Sequence, residues 1–587
     1  MSRSEVVADI AARRGFYWPS FEIYGGVGGF YDYGPLGVAM RRNIIAKWRK
    51  IFIEPYQDVI IEVETPVIMP EPVFRASGHL EHFTDYVITC QKCGRKYRAD
   101  HLIDEELSKR GIKLSLEGLS GEQLDEIVAK YGIKCPNCGG PLGKAERFNL
   151  LFKTTIGPYS TEAGYLRPET AQGMFVAFPR LADYVGRKVP FGVAQIGRVG
   201  RNEISPRQGL IRLREFSQME IELFFDPANP SCPYLSEVEG VEIPIVPEEL
   251  VARGSQDPLW LSPSQVAAKG YANEWMAFFM ALSVKFLAEM GVAPDRQKFV
   301  AKLPHERAHY AATVYDQMAF TERFGWVEVS GHAYRTDYDL SRHAHFSGQE
   351  MFLERRLKQP KEVEEVRVYP NPAAIRAKYG DKMGDVIRAI QRRQGAVASA
   401  LSSGADSVDV EGFFITRDMV YIKRERRRTD VEKFIPHVIE PSFGLDRILY
   451  VVLESSVVVE GERRYLKLPP DIAPITACVL PIVKRPQYVE EGRRLARALW
   501  RAGVAAIYDD EGTIGSRYAS CDEIGVPIAV TIDEQTPKDS TVTIRDRDTR
   551  RQVRLALEKV VDFAIAIRSS TPFDEASSRL GATPFKA

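Results

Sequence analysis

The run RNEISPRQGLIRLREFSQMEIELF, from Arg201 to Phe224, restricts the possible folds of this chain more than any other stretch. It sets four arginines and four glutamates among branched aliphatic residues. So many unpaired charges could not be buried in an apolar core without a large desolvation cost. Pro206 and Gly209 mark a turn, with Arg207 near its tip, and Gly192 to Phe225 reads as strand, turn, strand. Side chains two apart share one face of a strand. Arg201 and Glu203 then point the same way on the first strand, and Arg212, Arg214, Phe216 and Glu220 share a face on the second if no bulge intervenes. Antiparallel pairing makes these a charged platform with one aromatic ring. Such a platform suits a nucleotide: Arg for phosphate, the ring for a base, carboxylate for an exocyclic amine or a metal. The competing reading is a solvated face laced with cross-strand salt bridges.

Bulk charge does not choose between them. Lys+Arg and Asp+Glu balance at 79 each, so any polyanion site must be a local patch. No apolar run approaches the roughly 20 residues that span a bilayer, and MSRSEVVADIAARRGF lacks the apolar segment of a secretory signal. Four of the seven cysteines sit in two close pairs, which points to a metal and a reducing compartment rather than a disulfide framework. A cytoplasmic protein without membrane contact is expected.

Three further segments carry charge into apolar surroundings. YLRPETAQGMF sets Arg167 and Glu169 around a proline just before a helix. HVIEPSFGLDRILYVVLESS reads as a strand ending in Glu440, a turn, and an apolar helix with Arg447 in its first turn. A cation there opposes the helix dipole, so Arg447 needs an anionic or aromatic partner, which could simply be Asp446 or Glu440. GWVEVSGHAYRTDYDL places Glu328 on a strand. Elsewhere, helical spacing runs from Val38 to Ile53 and from Ala272 to Glu289, and DVIIEVETPVIM reads as a strand stopped by proline. After Pro469 the texture changes to a compact α/β pattern. ITACVLPIV, VAAIY and PIAVTI are strands there, and QYVEEGRRLARALWRAG and TRRQVRLALEKVVDFAIAI are helices.

An amphipathic helix with a proline-stopped strand, then RNE and RLREF on a strand–loop–strand, then GLDR on a strand–helix resemble the three motifs of class II aminoacyl-tRNA synthetases. With SGH at Ser77, RADHL at Arg98, LRPETAQGMF, DYDLSRH, VIEPSFGLDR and RYASCDEIG, the chain from Tyr17 to about Ile567 resembles dimeric-type glycyl-tRNA synthetases. The resemblance implies an α+β chain: an antiparallel-sheet catalytic domain with insertions and a C-terminal α/β anticodon-binding domain. The catalytic domain would occupy 1–88, 141–357 (with a small insertion near 226–261) and 408–469. Insertions at 89–140 and 358–407 interrupt it, and 470–587 forms the anticodon-binding domain.

The family reaction joins glycine to tRNA through glycyl-adenylate, with ATP and Mg²⁺. By resemblance Arg201 contacts the α-phosphate and the glycine carboxylate. Glu203 reads the adenine amino group, Phe216 stacks on the base, and Arg447 covers it as a cation–π partner. Arg212 holds the γ-phosphate end, and Glu328 with Val329 helps place Mg²⁺ and ATP. The implied ATP contacts also take in Asn202, Ile211, Leu213, Arg214, Glu215, Gly444, Leu445 and Asp446. Glycine would meet Glu169, Glu220 and Glu440 around its ammonium, with Ser442 near and Arg98 entering from the first insertion. Phe216, Ser217, Gln218, Met219, Pro441, Phe443 and Gly444 complete that set. Each glutamate could instead be an ordinary buried ion pair with Arg167, Arg201 or Arg214. Glycine offers only charged ends, so a tight pocket must reject larger amino acids by overlap.

Cys90-x-x-Cys93 and Cys135-x-x-Cys138 read as two knuckles of a Cys₄ structural Zn²⁺ site, against free thiols or an iron–sulfur centre. Cys232, Cys478 and Cys521 are expected to be buried, unpaired thiols. The resemblance also implies a homodimer and a glycine tRNA partner. Three rivals stay open: another class II synthetase, an inactive synthetase-like nucleic-acid-binding subunit, and a tRNA-independent adenylate-forming ligase. Dinucleoside polyphosphate formation survives as a side activity.

Overall fold

A computed structural model describes residues 2–585 apart from Ser115, Glu117, residues 159–162 and Arg207. The position expected at the tip of the charged turn, Arg207, thus lies outside the described residues. The chain divides into two compact units, one of residues 1–177, 189–339 and 437–587, the other of 178–188 and 340–436.

The first unit is built on a nine-stranded, mostly antiparallel sheet. Its strands are β1 (Ile60–Glu62), β2 (Phe191–Gly200), β3 (Glu215–Phe225), β4 (Ile243–Val246), β5 (Leu259–Leu261), β6 (Gln297–Ala301), β7 (Thr313–Thr321), β8 (Gly325–Thr336) and β9 (His437–Gly444). They lie side by side in the order β5-β4-β6-β7-β8-β9-β3-β2-β1. Helices α1 (Pro35–Phe52), α2 (Glu274–Glu289) and α3 (Leu445–Ser456) pack the apolar layer. Met219, Ile221 and Leu223 of β3, and Ile439 and Phe443 of β9, are fully buried in it. There Phe443 meets Phe52 and Trp48 of α1 and Phe286 of α2, at ring separations of 5.0, 6.1 and 5.8 Å. Truncating such a ring costs about 3–5 kcal/mol.

Because strand side chains alternate, the opposite face of β3 carries Gln218, Glu220 and Glu222. The register sets Glu220 beside Ser442 of β9 and beside Gln195 of β2. Ser442 in turn faces Gly331 of β8, and Glu440 faces Ala333. One face of this sheet is therefore a greasy floor and the other a polar one.

The charged turn corrects the sequence expectation. β2 ends at Gly200 and β3 begins at Glu215, so Arg201, Glu203, Arg212 and Arg214 lie on the connection, not on strands. The Arg201 amide still donates to the Arg214 carbonyl at 2.8 Å, but the Arg214 amide turns to the Gly29 carbonyl, also at 2.8 Å. Ser205 and Gly209 both adopt positive φ, which breaks the ladder and lets the arginines leave the strand alternation.

The first insertion carries a three-stranded sheet of Lys96–Arg98, Thr84–Cys90 and Leu142–Asn149. Against it lie helices Ala99–Ser108 and Gly121–Tyr131, the second opened by a reciprocal cap between Ser120 and Gln123. The C-terminal region forms a six-stranded sheet from β10 (Ala477–Pro481), β11 (Ala506–Tyr508), β12 (Ile528–Ile532), β13 (Thr541–Asp546), β14 (Gln552–Ala556) and β15 (Thr583–Phe585). β10 runs parallel to β11 and β12, and the other pairings are antiparallel. Helix α4 (Pro486–Arg501) matches expectation, but TRRQVRLALEK does not. Its QVRLA is β14, and a helix begins only at Val560. The alternating Val553 and Leu555 can pair with β13, which outweighs helical propensity once an open sheet edge is present.

Cys232 is a buried free thiol, but Cys478 and Cys521 form a disulfide, against the expectation of three unpaired thiols. β10 and the helix Ile514–Glu523 bring residues 43 apart in sequence within 6.6 Å between Cα atoms, a proximity that spacing alone could not reveal.

The second unit holds two long antiparallel strands, Leu353–Pro370 and Val420–Phe434. Helices Pro372–Tyr379, Met383–Arg392 and Gln394–Ser402 and a short hairpin follow the first strand. It has its own core of Val368, Ile375, Val386, Ile390, Val397, Leu401 and Ile415. The span 358–407 lies inside this unit. Among the described residues no helix is long and apolar enough to cross a membrane.

Candidate active site

The polar face of β3, β8 and β9 forms the floor of a cavity of about 320 Å³, with the connection between β2 and β3 over one side. Arg335 does not line the cavity itself but holds two of the acids that do, and its side chain is fully buried. Its Nε donates to Asp339 Oδ2 at 2.7 Å, Nη2 to Asp339 Oδ1 at 3.0 Å and Nη1 to Glu440 Oε2 at 2.8 Å. Nη2 also lies 3.6 Å from Glu169 Oε1, and the guanidinium stacks 3.6 Å above the Tyr310 ring. One cation thus gathers three carboxylates. The spacing of TDYDL gave no hint of this, because Arg335 lies on the strand and Asp339 in the first turn of the following helix.

Glu169 Oε1 also accepts from Gln172 at 2.9 Å and lies 3.6 Å from His79 Nε2. Burial opposes its ionisation, but His79 and Arg335 outweigh that and hold its carboxyl well below the usual range. Glu220 Oε2 accepts from the Thr170 amide at 2.9 Å and from the Thr170 hydroxyl. So the three glutamates picked out by family resemblance, Glu169, Glu220 and Glu440, do line one cavity.

Also on the lining, Arg201 donates through Nε to the Pro168 carbonyl at 3.0 Å, and its guanidinium sits 5.3 Å from the Phe216 ring centre. Arg212 Nε is 3.3 Å from Glu203 Oε2, and its Nη1 is 3.0 Å from the His101 ring. Burial and the adjacent Arg212 and Arg98 push His101 down to about 4, so it is a neutral ring at working pH. Arg447 donates through Nε to the Ile211 carbonyl at 2.8 Å, and its Nη1 is 3.1 Å from Glu328 Oε2. Its partner is therefore Glu328, neither Asp446 nor Glu440. Asp316, across from Gly331 on β7, also lines the cavity. Burial and the neighbouring Glu328 push it up to about 7, although Lys302 Nζ is 3.1 Å away.

Other residues in the expected set sit elsewhere. Met219, Pro441, Phe443 and Leu445 are buried away from the cavity. Contiguous runs such as 215–220 and 440–444 necessarily include both faces of a strand. Arg98 is held by Asp85 at 2.9 Å and Asp100 at 2.8 Å and does not line the cavity. Arg214 is spent on the carbonyls of Glu203 and Gly28. Asn202, Glu215 and Ser217 are also outside the lining, whereas Val329, Leu213, Gln218, Ser442 and Gly444 are within it. Asp446 reaches the cavity, but its carboxylate accepts from Arg41, Tyr33 and the Ser217 amide. It ties α1 to β3 and α3. Lys302, Asp316, Tyr310, His332 and Gly331 line the cavity without having been foreseen.

In the first insertion, Cys90 Sγ is 3.6 Å from Cys138 Sγ, and Cys93 Sγ is 3.7 Å from Cys135 Sγ. All four sulfurs lie within 4.8 Å of one another.

Residues 476–567 match the model of the anticodon binding domain. The chain is 46% identical to the glycine--tRNA ligase of Aeropyrum pernix over 95% of each protein. Against that of Thermococcus gammatolerans it is 44% identical over 95% of this chain and 97% of the relative. Against that of Methanocaldococcus jannaschii it is 42% identical over 95% and 98%. Similarity of this depth through both the cavity-bearing region and the C-terminal sheet means that the chain belongs to the glycine--tRNA ligase family.

Proposed function

We propose that the protein attaches glycine to its tRNA using ATP, by way of glycyl-adenylate, in the cytoplasm and as a two-fold homodimer. The observation that carries this reading is the convergence of Glu169, Glu220 and Glu440 below Arg201, Phe216 and Arg447 in one cavity. The acid end suits an ammonium group and the arginine end suits phosphate. Phe216 offers a face for adenine, and Arg447 closes over it once released from Glu328. Arg201, poised between Pro168 and Phe216, would hold the carboxylate of glycine against the α-phosphorus, where negative charge grows as the carboxylate oxygen attacks and pyrophosphate leaves. Positioning and fixed charge suffice for this step, without a general base.

Glu328 and Asp316 would hold Mg²⁺. Both are hard oxygen donors on adjacent strands, close enough that, after burial, Glu328 is the main cause of the raised Asp316 carboxyl. The bound ion supplies charge neutralisation to the triphosphate oxygens. Cys90, Cys93, Cys135 and Cys138 would hold structural Zn²⁺. The 3.6 and 3.7 Å sulfur separations suit a tetrahedron, since a Zn–S bond of about 2.3 Å makes its edges about 3.8 Å.

Selectivity follows from the floor. Gly331 and Ala333 face Ser442 and Glu440 across β8 and β9, so a substrate seated on these glutamates lies close against the sheet, where a side chain pointing inward would overlap it. The test is amino-acid-dependent ATP–pyrophosphate exchange with glycine, alanine, serine, threonine and proline, followed by charging of glycine tRNA. Exchange confined to glycine is expected. Exchange with another amino acid, or with none, would overturn the assignment.

A further inference from the structure

Behind the three glutamates that line the cavity lies a fourth, Glu222, that does not line it. It is two residues beyond Glu220 on the same face of β3, and the register of β3 with β9 sets it opposite Glu440. Its side chain is fully buried, and neither carboxyl oxygen has a hydrogen-bond partner among the described residues. Carboxyl oxygens of Glu220, Glu222 and Glu440 lie within 4.8 Å of one another.

The charges facing this spot decide which group keeps a proton. Glu220 comes from the same strand, Glu440 from β9, Arg335 from β8, Asp339 from the helix after β8, and Glu169 from the segment before Ala171. Arg167 is a second buried cation that acts on Glu220, but its Nε and Nη1 donate to the backbone carbonyls of Arg198 and Thr65. Glu440 and Asp339 hold Arg335, Glu169 has Gln172 and His79, and Glu220 has the amide and hydroxyl of Thr170. Glu222 alone has no hydrogen-bond partner among the described residues, and the cation nearest in charge to it, Arg335, is already held by Glu440 and Asp339. A buried carboxylate without a partner neutralises instead.

We infer that Glu222 is a neutral carboxylic acid whose O–H is donated to the neighbouring glutamates, making it a positioning residue that relieves the repulsion between Glu220 and Glu440 and keeps both turned toward the ammonium of the amino acid. The inference rests on the glycine-activating reading above. Its physical sense is that two carboxylates packed side by side repel, and the weaker one would take up a proton unless a neutral donor sits between them. Burial first, then Glu440, pushes Glu222 well above the ordinary carboxyl range, although Arg335 opposes the shift; burial pushes Glu440 the same way, but Glu440 has the direct 2.8 Å hydrogen bond from Arg335 that Glu222 lacks.

The experiment compares wild type, Glu222→Gln and Glu222→Leu by pyrophosphate exchange, with glycine and ATP varied separately at several pH values between about 6.5 and 8.5. Gln keeps a neutral donor, whereas Leu keeps the bulk and loses it. Glu222→Gln should hold the glycine KM within about threefold of wild type across that range. Glu222→Leu should raise it about tenfold or more, with the ATP KM unmoved. A general packing defect would move both Michaelis constants and would not be rescued by Gln. Should a variant fail to fold, the infrared spectrum of the wild type must still contain a protonated-carboxyl C=O band that glycine binding perturbs. Its absence would overturn the inference. Equal glycine KM increases in Gln and Leu would overturn it too, since the ionised carboxylate would then be the needed form. So would a Leu variant with an unchanged glycine KM. A wild type without glycine-dependent exchange would instead refute the proposed function, a result distinct from all of these.

Discussion

Replacing Arg335 by methionine should damage the protein in a way that depends on pH. The side chain is fully buried, and methionine fills a similar volume, so packing is largely preserved. What is lost is the cation that donates twice to Asp339, at 2.7 and 3.0 Å, and once to Glu440 at 2.8 Å. Removing one partner of a buried charge pair costs about 3–5 kcal/mol. Glu169 at 3.6 Å adds a third stranded carboxylate, which places the expectation at the upper end. At roughly 2–4 °C per kcal/mol for a large domain, about 5 kcal/mol should lower the transition of the catalytic region by about 10–20 °C.

The sign with pH follows from the same charges. In the variant the stranded carboxylates have folded-state pKa values raised above their unfolded ones. They protonate as pH falls, which relieves their desolvation, so the deficit is largest at high pH and shrinks toward about pH 5. Thermal unfolding of wild type and Arg335→Met at about pH 5.5 and 8.5 measures both features. A deficit below about 1 kcal/mol, or one equal at the two pH values, would show that Arg335 does not hold these acids together.

The remaining predictions concern other parts of the molecule. A Cβ added at Gly331 would meet no protein atom within 4 Å, so Gly331→Ala should fold normally yet raise the glycine KM about tenfold by intruding on ligand space; an unchanged KM would remove Gly331 from the selectivity argument. Mutating Cys135 to serine, or chelation, should release bound zinc and erase hydrogen-exchange protection in the helix Ala99–Ser108, and persisting protection would mean that the insertion folds without metal. Titration of the denatured, unreduced protein should find five free thiols; finding seven would refute the Cys478–Cys521 bond. Cys521→Ser should in turn destabilise the C-terminal domain by about 4 kcal/mol, the closure entropy of a loop spanning a sequence separation of 43.

Much was already written in the sequence by itself. The antiparallel pair around the charged run, helices α1 and α2, the change of texture after Pro469 and the paired cysteines all follow from periodicity, prolines and spacing, which are local properties. So does the gathering of acids and arginines at one place, once the order of motifs is matched to a family. Tertiary structure alone decided which of those residues share a cavity. Alternation on β3 and β9 divides contiguous runs between floor and core, removing Met219 and Phe443 from the site while leaving Glu220 and Ser442 within it. Arg335 gathers Asp339, Glu440 and Glu169, and the neutral Glu222 stands behind them, only because β3, β8 and β9 are neighbours in the sheet. The disulfide and the strand Gln552–Ala556 have the same origin, since each needs a partner segment that no local pattern can name. Burial and charge balance are sums over neighbours distant in sequence, and those neighbours exist only once the chain has folded.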